Sequence, residues 1–135
     1  MTLMKEDRLP IVHQTDITFA RKKVREWALE VGFGIVDQTK IVTAASELAR
    51  NTLIYGGGGE MEIALLKNDN EKPGIRLIFA DQGPGIADVK LALTDGFTSG
   101  GGMGLGLSGS KRLMNEFDLE TQIGKGTRVT VIKWK

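Results

Sequence analysis

Glu47 and Asn51 stand four positions apart in the run Glu47-Leu48-Ala49-Arg50-Asn51. On a helix that spacing stacks both side chains on one face, about one turn or roughly 6 Å apart. The carboxylate can take a proton from a hydroxyl or a water. The carboxamide oxygen can ligate Mg²⁺, the hard cation that accompanies nucleotide phosphates. Alone, such a pair is a solvated helix face, and its weight comes from three further motifs.

Asp81-Gln82-Gly83-Pro84-Gly85 follows directly on an apolar run. A carboxylate at a strand end can accept a hydrogen bond from the exocyclic amine of adenine, and Gly83 and Gly85 let backbone approach a ring closely. Gly100 to Leu107 carries Gly102, Gly104 and Gly106 alternating with Met103, Leu105 and Leu107 before a helical pattern. Free backbone N–H groups at such a helix start can cradle phosphate oxygens, and the helix dipole favours the anion. It is not a Walker loop, lacking a Gly-Lys-Ser/Thr ending, and no strand leads into it as a dinucleotide fingerprint requires. Gly124-Lys125-Gly126-Thr127 reads as a hairpin turn.

The elements that must hold these groups are legible as patterns. Leu9 to Gln14 is expected as a strand, with His13 in it, and Asp16 or Thr15 as the cap of a helix from Ile17 to Gly32. Phe19, Ala20, Val24, Trp27, Ala28 and Val31 would form its buried stripe. Asp37 is expected to cap a second helix that buries Ile41, Ala44, Ala45, Leu48 and Ala49 and stops at Gly56 to Gly59. Met61 to Lys67 and Ile75 to Ala80 read as a hairpin, then a short helix from Ala87 to Leu93 and a glycine-rich loop. A helix from Leu105 to Phe117 and strands Leu119 to Ile123 and Thr127 to Trp134 complete the order β-α-α-β-β-(α)-α-β-β. Grouped helices and grouped strands predict an α+β fold, a two-layer α/β sandwich with one sheet covered on one face by helices.

Composition bounds the function. A length of 135 residues with 41% hydrophobic content suits one domain. Eighteen basic against seventeen acidic residues, a net charge of +1, give no field to draw nucleic acid or an anionic membrane, so neither is expected as a partner. The chain has no cysteine and a single histidine, His13, which excludes disulfides, thiolate chemistry and a histidine metal cluster. No apolar run reaches membrane-spanning length and the first ten residues do not resemble a secretory signal, so the cytoplasm is the expected compartment.

Taken in order, the four motifs resemble a GHKL-type (Bergerat) ATPase domain over nearly the whole chain, with the mixed sheet of that type. Gly32-Phe33-Gly34, Thr43 to Asn51, Asp81 to Ile86, Asp95-Gly96-Phe97, Lys111 to Met114 and Ile132-Lys133-Trp134 are similar to the small bacterial anti-sigma-type serine/threonine kinases. The resemblance implies ATP and Mg²⁺ as cofactors, Glu47 as general base, and Asn51 as the metal ligand. It implies Asp81, Gly83, Gly85 and Thr127 at the adenine. Gly102, Gly104, Leu105, Gly106 and Leu107 would lie around the phosphates, beneath a lid from Thr94 to Met103. It further implies a STAS-domain substrate, a stressosome scaffold, and a PPM-type phosphatase or another signalling output downstream, with homodimerisation left open. Glu47 can equally activate water, and a kinase and an ATP hydrolase share these motifs. A nucleotide-gated binding module and an anti-sigma factor that binds a sigma subunit are the alternatives. A histidine kinase is disfavoured, since no dimerising helical hairpin accompanies His13.

Overall fold

The computed structural model describes residues 1–93 and 106–135. Along the chain run β1 (Thr2–Ile11), α1 (Gln14–Val31), α2 (Ile35–Ile54), β2 (Gly59–Lys67), β3 (Pro73–Asp81), α3 (Val89–Ala92), α4 (Gly106–Leu113), β4 (Glu116–Gln122) and β5 (Gly126–Trp134). The strands form one five-stranded sheet in the order β1-β2-β3-β5-β4. The α+β sandwich expected from the sequence is the fold observed.

The sheet is antiparallel at every pairing, not mixed. The reason is topological. The chain leaves β3, crosses through α3 and α4, and returns as the hairpin β4–β5, which seats β5 rather than β4 beside β3. β4 runs in the same direction as β3 but does not pair with it.

Alternation along the central strands puts Met61, Ile63 and Leu65, Ile75, Leu77 and Phe79, and Val129 and Val131 on one face. There they form a single core with Val24, Trp27, Ile41, Ala44, Ala45 and Leu48 from α1 and α2. The alanines of α2 let the helix lie close to its neighbours, and each large side chain buried contributes about 1.5–3 kcal/mol.

The helix starts differ from expectation in a regular way. Asp16 is not the cap of α1 but sits at its third position, where Oδ2 accepts the backbone N–H groups of Val12 at 2.9 Å and His13 at 2.8 Å. Those two donors hold its carboxyl below the usual carboxylate range. His13 is the residue at the cap, outside the strand. Likewise Gly34 caps α2 and Asp37 lies in the first turn. Phe19 is 61% exposed and Ile17 takes its place in the core. Two residues rotate a side chain roughly 200° around a helix, so the two cannot share a face. α1 ends at Gly32, whose left-handed backbone (φ 98°) donates its N–H to the carbonyls of Ala28 and Leu29.

Candidate functional site

The C-terminal end of α2, the end of β3 and the start of β5 meet at one end of the helix-covered face. α2 presents Glu47 and Asn51, both half-buried, with Leu48 and Ala49 between them in the core. The Asn51 carbonyl accepts from Tyr55 N at 3.0 Å and Gly56 N at 3.1 Å, which closes the helix. Among the described residues the Asn51 carboxamide and the Glu47 carboxylate have no hydrogen-bond or ion-pair partner, so both are available to a ligand.

What brings α2 to the sheet end is a backbone contact that only glycine permits. A Cβ on Gly56 would lie 2.3 Å from Asp81 Cγ, and one on Gly83 would lie 2.8 Å from Gly56 Cα. Gly56 is thus wedged between the Asp81 carboxyl and the following loop. Asp81 is the last residue of β3, half-buried, and its Oδ1 accepts Gly83 N at 2.9 Å, leaving Oδ2 for another donor.

Asp81 is the register partner of Thr127 on β5, and their shared parity with Phe79 and Val129 places both on the covered face. The structure adds Thr121 of β4, the partner of Thr127. Its Oγ1 lies 3.0 Å from Thr127 Oγ1, accepts Ile86 N at 2.9 Å and reaches Gly126 O at 3.1 Å. Gly124 N donates to Pro84 O at 2.9 Å, and a Cβ on Gly85, at φ 78°, would lie 2.5 Å from Gln122 O. The Gly83-Pro84-Gly85 loop is therefore held on the β4–β5 hairpin rather than free. Thr121 was missed because a threonine in an edge strand is unremarkable until hairpin register is known. The three-residue turn Ile123-Gly124-Lys125 is the signal that aligns it with Thr127.

Of the residues expected around the phosphates, Gly106 and Leu107 begin α4, and Leu107 packs against the core. Gly102, Gly104 and Leu105, with the expected lid from Thr94 to Met103, lie outside the described residues. Among the described residues no group of three or more His, Cys, Asp or Glu could hold a metal ion. One carboxamide oxygen, Asn51, suits Mg²⁺, which keeps most of its ligands as water and phosphate.

On the outer side of α2 runs a groove of about 390 Å³ between α1 and α2, lined by Arg21, Arg25, Thr43, Ser46, Glu47 and Arg50 among others. The three arginines have no carboxylate partner among the described residues. Arg21 and Arg25 lie one turn apart on α1, so both face the same channel. No helix among the described residues is long and apolar enough to cross a membrane.

The helix-covered sheet and the polar groups gathered at its end suit a nucleotide-binding class, and comparison with known proteins gives that class directly. Residues 36–135 match the family described as histidine kinase-, DNA gyrase B- and HSP90-like ATPase. The chain belongs to that ATP-using family and, within it, to the serine/threonine protein kinases of the anti-sigma type. It is 48% identical over 124 residues to the serine/threonine-protein kinase RsbT of Bacillus subtilis strain 168, covering 92% of each chain. It is 30% identical to the anti-sigma F factor of Thermoanaerobacter sp. strain X514, across 87% of this chain and 84% of the relative. In fold it matches the RsbU and RsbW domains of Rv1364c from Mycobacterium tuberculosis, with a TM-score of 0.64 at 20% identity, covering 96% of this chain and 32% of that one. It also matches the SiaB–SiaC complex of Pseudomonas aeruginosa, with a TM-score of 0.56 at 12% identity, covering 99% and 91%.

Proposed function

We propose that this chain transfers the γ-phosphoryl group of Mg·ATP to a serine or threonine hydroxyl of a STAS-domain protein, with Glu47 as the general base. The observation that carries the reading is the position of Glu47. It lines an outward-facing groove whose other charged members are all arginines, while Asn51, one turn on, accepts Gly56 N at its backbone carbonyl, and Gly56 in turn abuts Asp81. A protein substrate carrying carboxylates near its hydroxyl can enter such a groove without reaching past the nucleotide. A hydrolase needs only water at that point and has no use for three unpaired guanidinium groups.

In the proposed step the acceptor oxygen attacks the γ-phosphorus, the bond from that phosphorus to the β,γ-bridging oxygen breaks, and ADP leaves. Glu47 takes the hydroxyl proton. Mg²⁺ bound through Asn51 would supply neutralisation of the phosphate charge. Phosphoryl transfer asks chiefly for positioning and charge compensation. Asp81, with Gly83, Gly85, Thr127 and Thr121, would hold the adenine. Gly106 and Leu107 at the head of α4, preceded by Gly102, Gly104 and Leu105, would meet the phosphates. Similarity to RsbT further supports a partner-switching role in the cytoplasm: phosphorylating a stressosome-type STAS scaffold frees the kinase for a PPM-type phosphatase.

The test is incubation with γ-labelled ATP and a purified STAS-domain partner. Label on a partner serine or threonine, lost in Glu47→Gln, supports transfer. ATP-dependent association with no label on the partner refutes it in favour of a nucleotide-gated binding module. Capture of a sigma subunit without transfer refutes it in favour of an anti-sigma factor.

A further inference from the structure

β5 alternates Val129, Val131, Lys133 toward the helix-covered face, so its third inward residue is a lysine where the pattern calls for another valine. Lys133 is 9% exposed. Taking an ammonium group out of water is costly unless acceptors replace the water, so its position calls for a reason. The acceptors belong to two different helices. Nζ donates to the carbonyl of Leu113, the last residue of α4, at 3.2 Å, and lies 3.8 Å from Oδ1 of Asp37 in the first turn of α2.

Both contacts complement the helices they touch: a cation at the C-terminal carbonyls of α4 and an anion at the N-terminus of α2. The turn after α4 is fixed to the same strand. Asn115 N donates to Ile132 O at 2.9 Å, and Trp134 N donates to Asn115 Oδ1 at 2.7 Å. The opposite ends of these helices carry the two halves of the site: Glu47 and Asn51 toward the end of α2, Gly106 and Leu107 at the head of α4. α4 is only eight residues long, so a tilt at Leu113 moves its head by a comparable angle.

We infer that Lys133 is a positioning residue for phosphate binding: by joining the tail of α4 to the first turn of α2, it sets where the head of α4 meets the nucleotide phosphates. The inference deepens the proposed function and rests on it. Lys133 lies at the far end of α4 and α2 from the site residues and acts through the helix.

Lys133→Met keeps the length and removes the charge, and because its ion-pair partner Asp37 is 45% exposed and stays solvated, no buried charge is stranded and the variant is expected to fold. Two measurements on the full chain test it. In nucleotide-free protein, amide hydrogen exchange at 107–113 should quicken at least fivefold while exchange in β2 and β3 stays the same. By calorimetry the Kd for Mg·ATP should rise at least fivefold while that for adenosine, which lacks phosphates, is unchanged. Lys133→Arg, which can reach both acceptors, should recover most of the affinity. Unchanged exchange in α4, or Mg·ATP affinity at the wild-type level, overturns the inference. Equal weakening of adenosine and Mg·ATP also overturns it, since that is the mark of general loosening. Should Lys133→Met not fold, Asp37→Asn is read in the same way: faster exchange at 107–113 supports the clamp, and unchanged exchange overturns it. A wild-type chain that binds no Mg·ATP would sink the proposed function instead, and the exchange measurement would still read the clamp.

Discussion

Gly56→Ala is the most demanding test of how the adenine end is built. Gly56 is not among the residues with positive φ, so alanine meets no backbone strain there and the effect is one of space. The added Cβ would fall 2.3 Å from Asp81 Cγ, 2.5 Å from Oδ2 and 2.6 Å from Cβ. Relief requires the Asp81 side chain or the Gly56 loop to move by about 1 Å, and such overpacking costs about 1–3 kcal/mol. Displacing Asp81 also strains its 2.9 Å bond to Gly83 N and redirects the oxygen proposed to meet adenine. Urea denaturation should therefore show that loss of stability, and calorimetry should show at least a tenfold loss of ATP affinity, about 1.4 kcal/mol. Gly57→Ala is the control. Its φ of 74° makes alanine cost about 1–2 kcal/mol of backbone strain, yet a Cβ there meets nothing within 4 Å. It should lose comparable stability and keep its nucleotide affinity. Equal losses of affinity in both variants, or wild-type affinity in Gly56→Ala, would refute the packing argument.

Four other outcomes follow from the same geometry. Glu47→Gln should lower label transfer to the partner by about 10²–10⁴-fold with ATP affinity within about twofold of wild type, read by single-turnover kinetics and calorimetry. Arg25→Glu should raise the KM for an acidic acceptor and flatten its salt dependence without changing the KM for ATP. Thr121→Val should cost about 1–3 kcal/mol by leaving Ile86 N without its acceptor, measured in urea. Asp16 titrates below its ordinary value of 3.8 in the folded chain, so its stabilisation is complete above that pH and fades as pH falls through the folded value. Asp16→Asn should therefore lower the midpoint of thermal unfolding at neutral pH and converge on wild type in strong acid.

Much of the fold could be read from residue pattern because the core is regular. Ile41, Ala44, Ala45, Leu48 and Ala49 are all buried as α2's spacing predicts. Where the reading failed, a competing effect masked the pattern. β1 begins at Thr2 rather than Leu9, because Lys5-Glu6-Asp7-Arg8 has no apolar alternation to announce a strand. The strand exists through its ladder with β2, and its charges are answered elsewhere: Lys5 reaches Glu30 at 3.0 Å and sits over the Trp27 ring, and Lys23 pairs with Asp7. The helix expected to run to Phe117 ends at Leu113, since Phe117 is drawn into β4 opposite Val131. At the candidate site, Glu47, Asn51, Asp81 and Thr127 could be nominated from sequence because a motif carries each. Thr121, the groove arginines Arg21 and Arg25, and Lys133 were not, because their meaning lies in cross-strand register and helix packing, which a linear pattern does not encode.

Both margins of the sheet are written in charge: Lys5, Glu6, Asp7 and Arg8 along β1, and Glu116, Asp118 and Glu120 along β4. Unsatisfied backbone at a strand margin invites another strand to zip alongside, and a row of ionised side chains makes that addition unfavourable. The charged margins thereby protect the folded chain from fibrillar stacking.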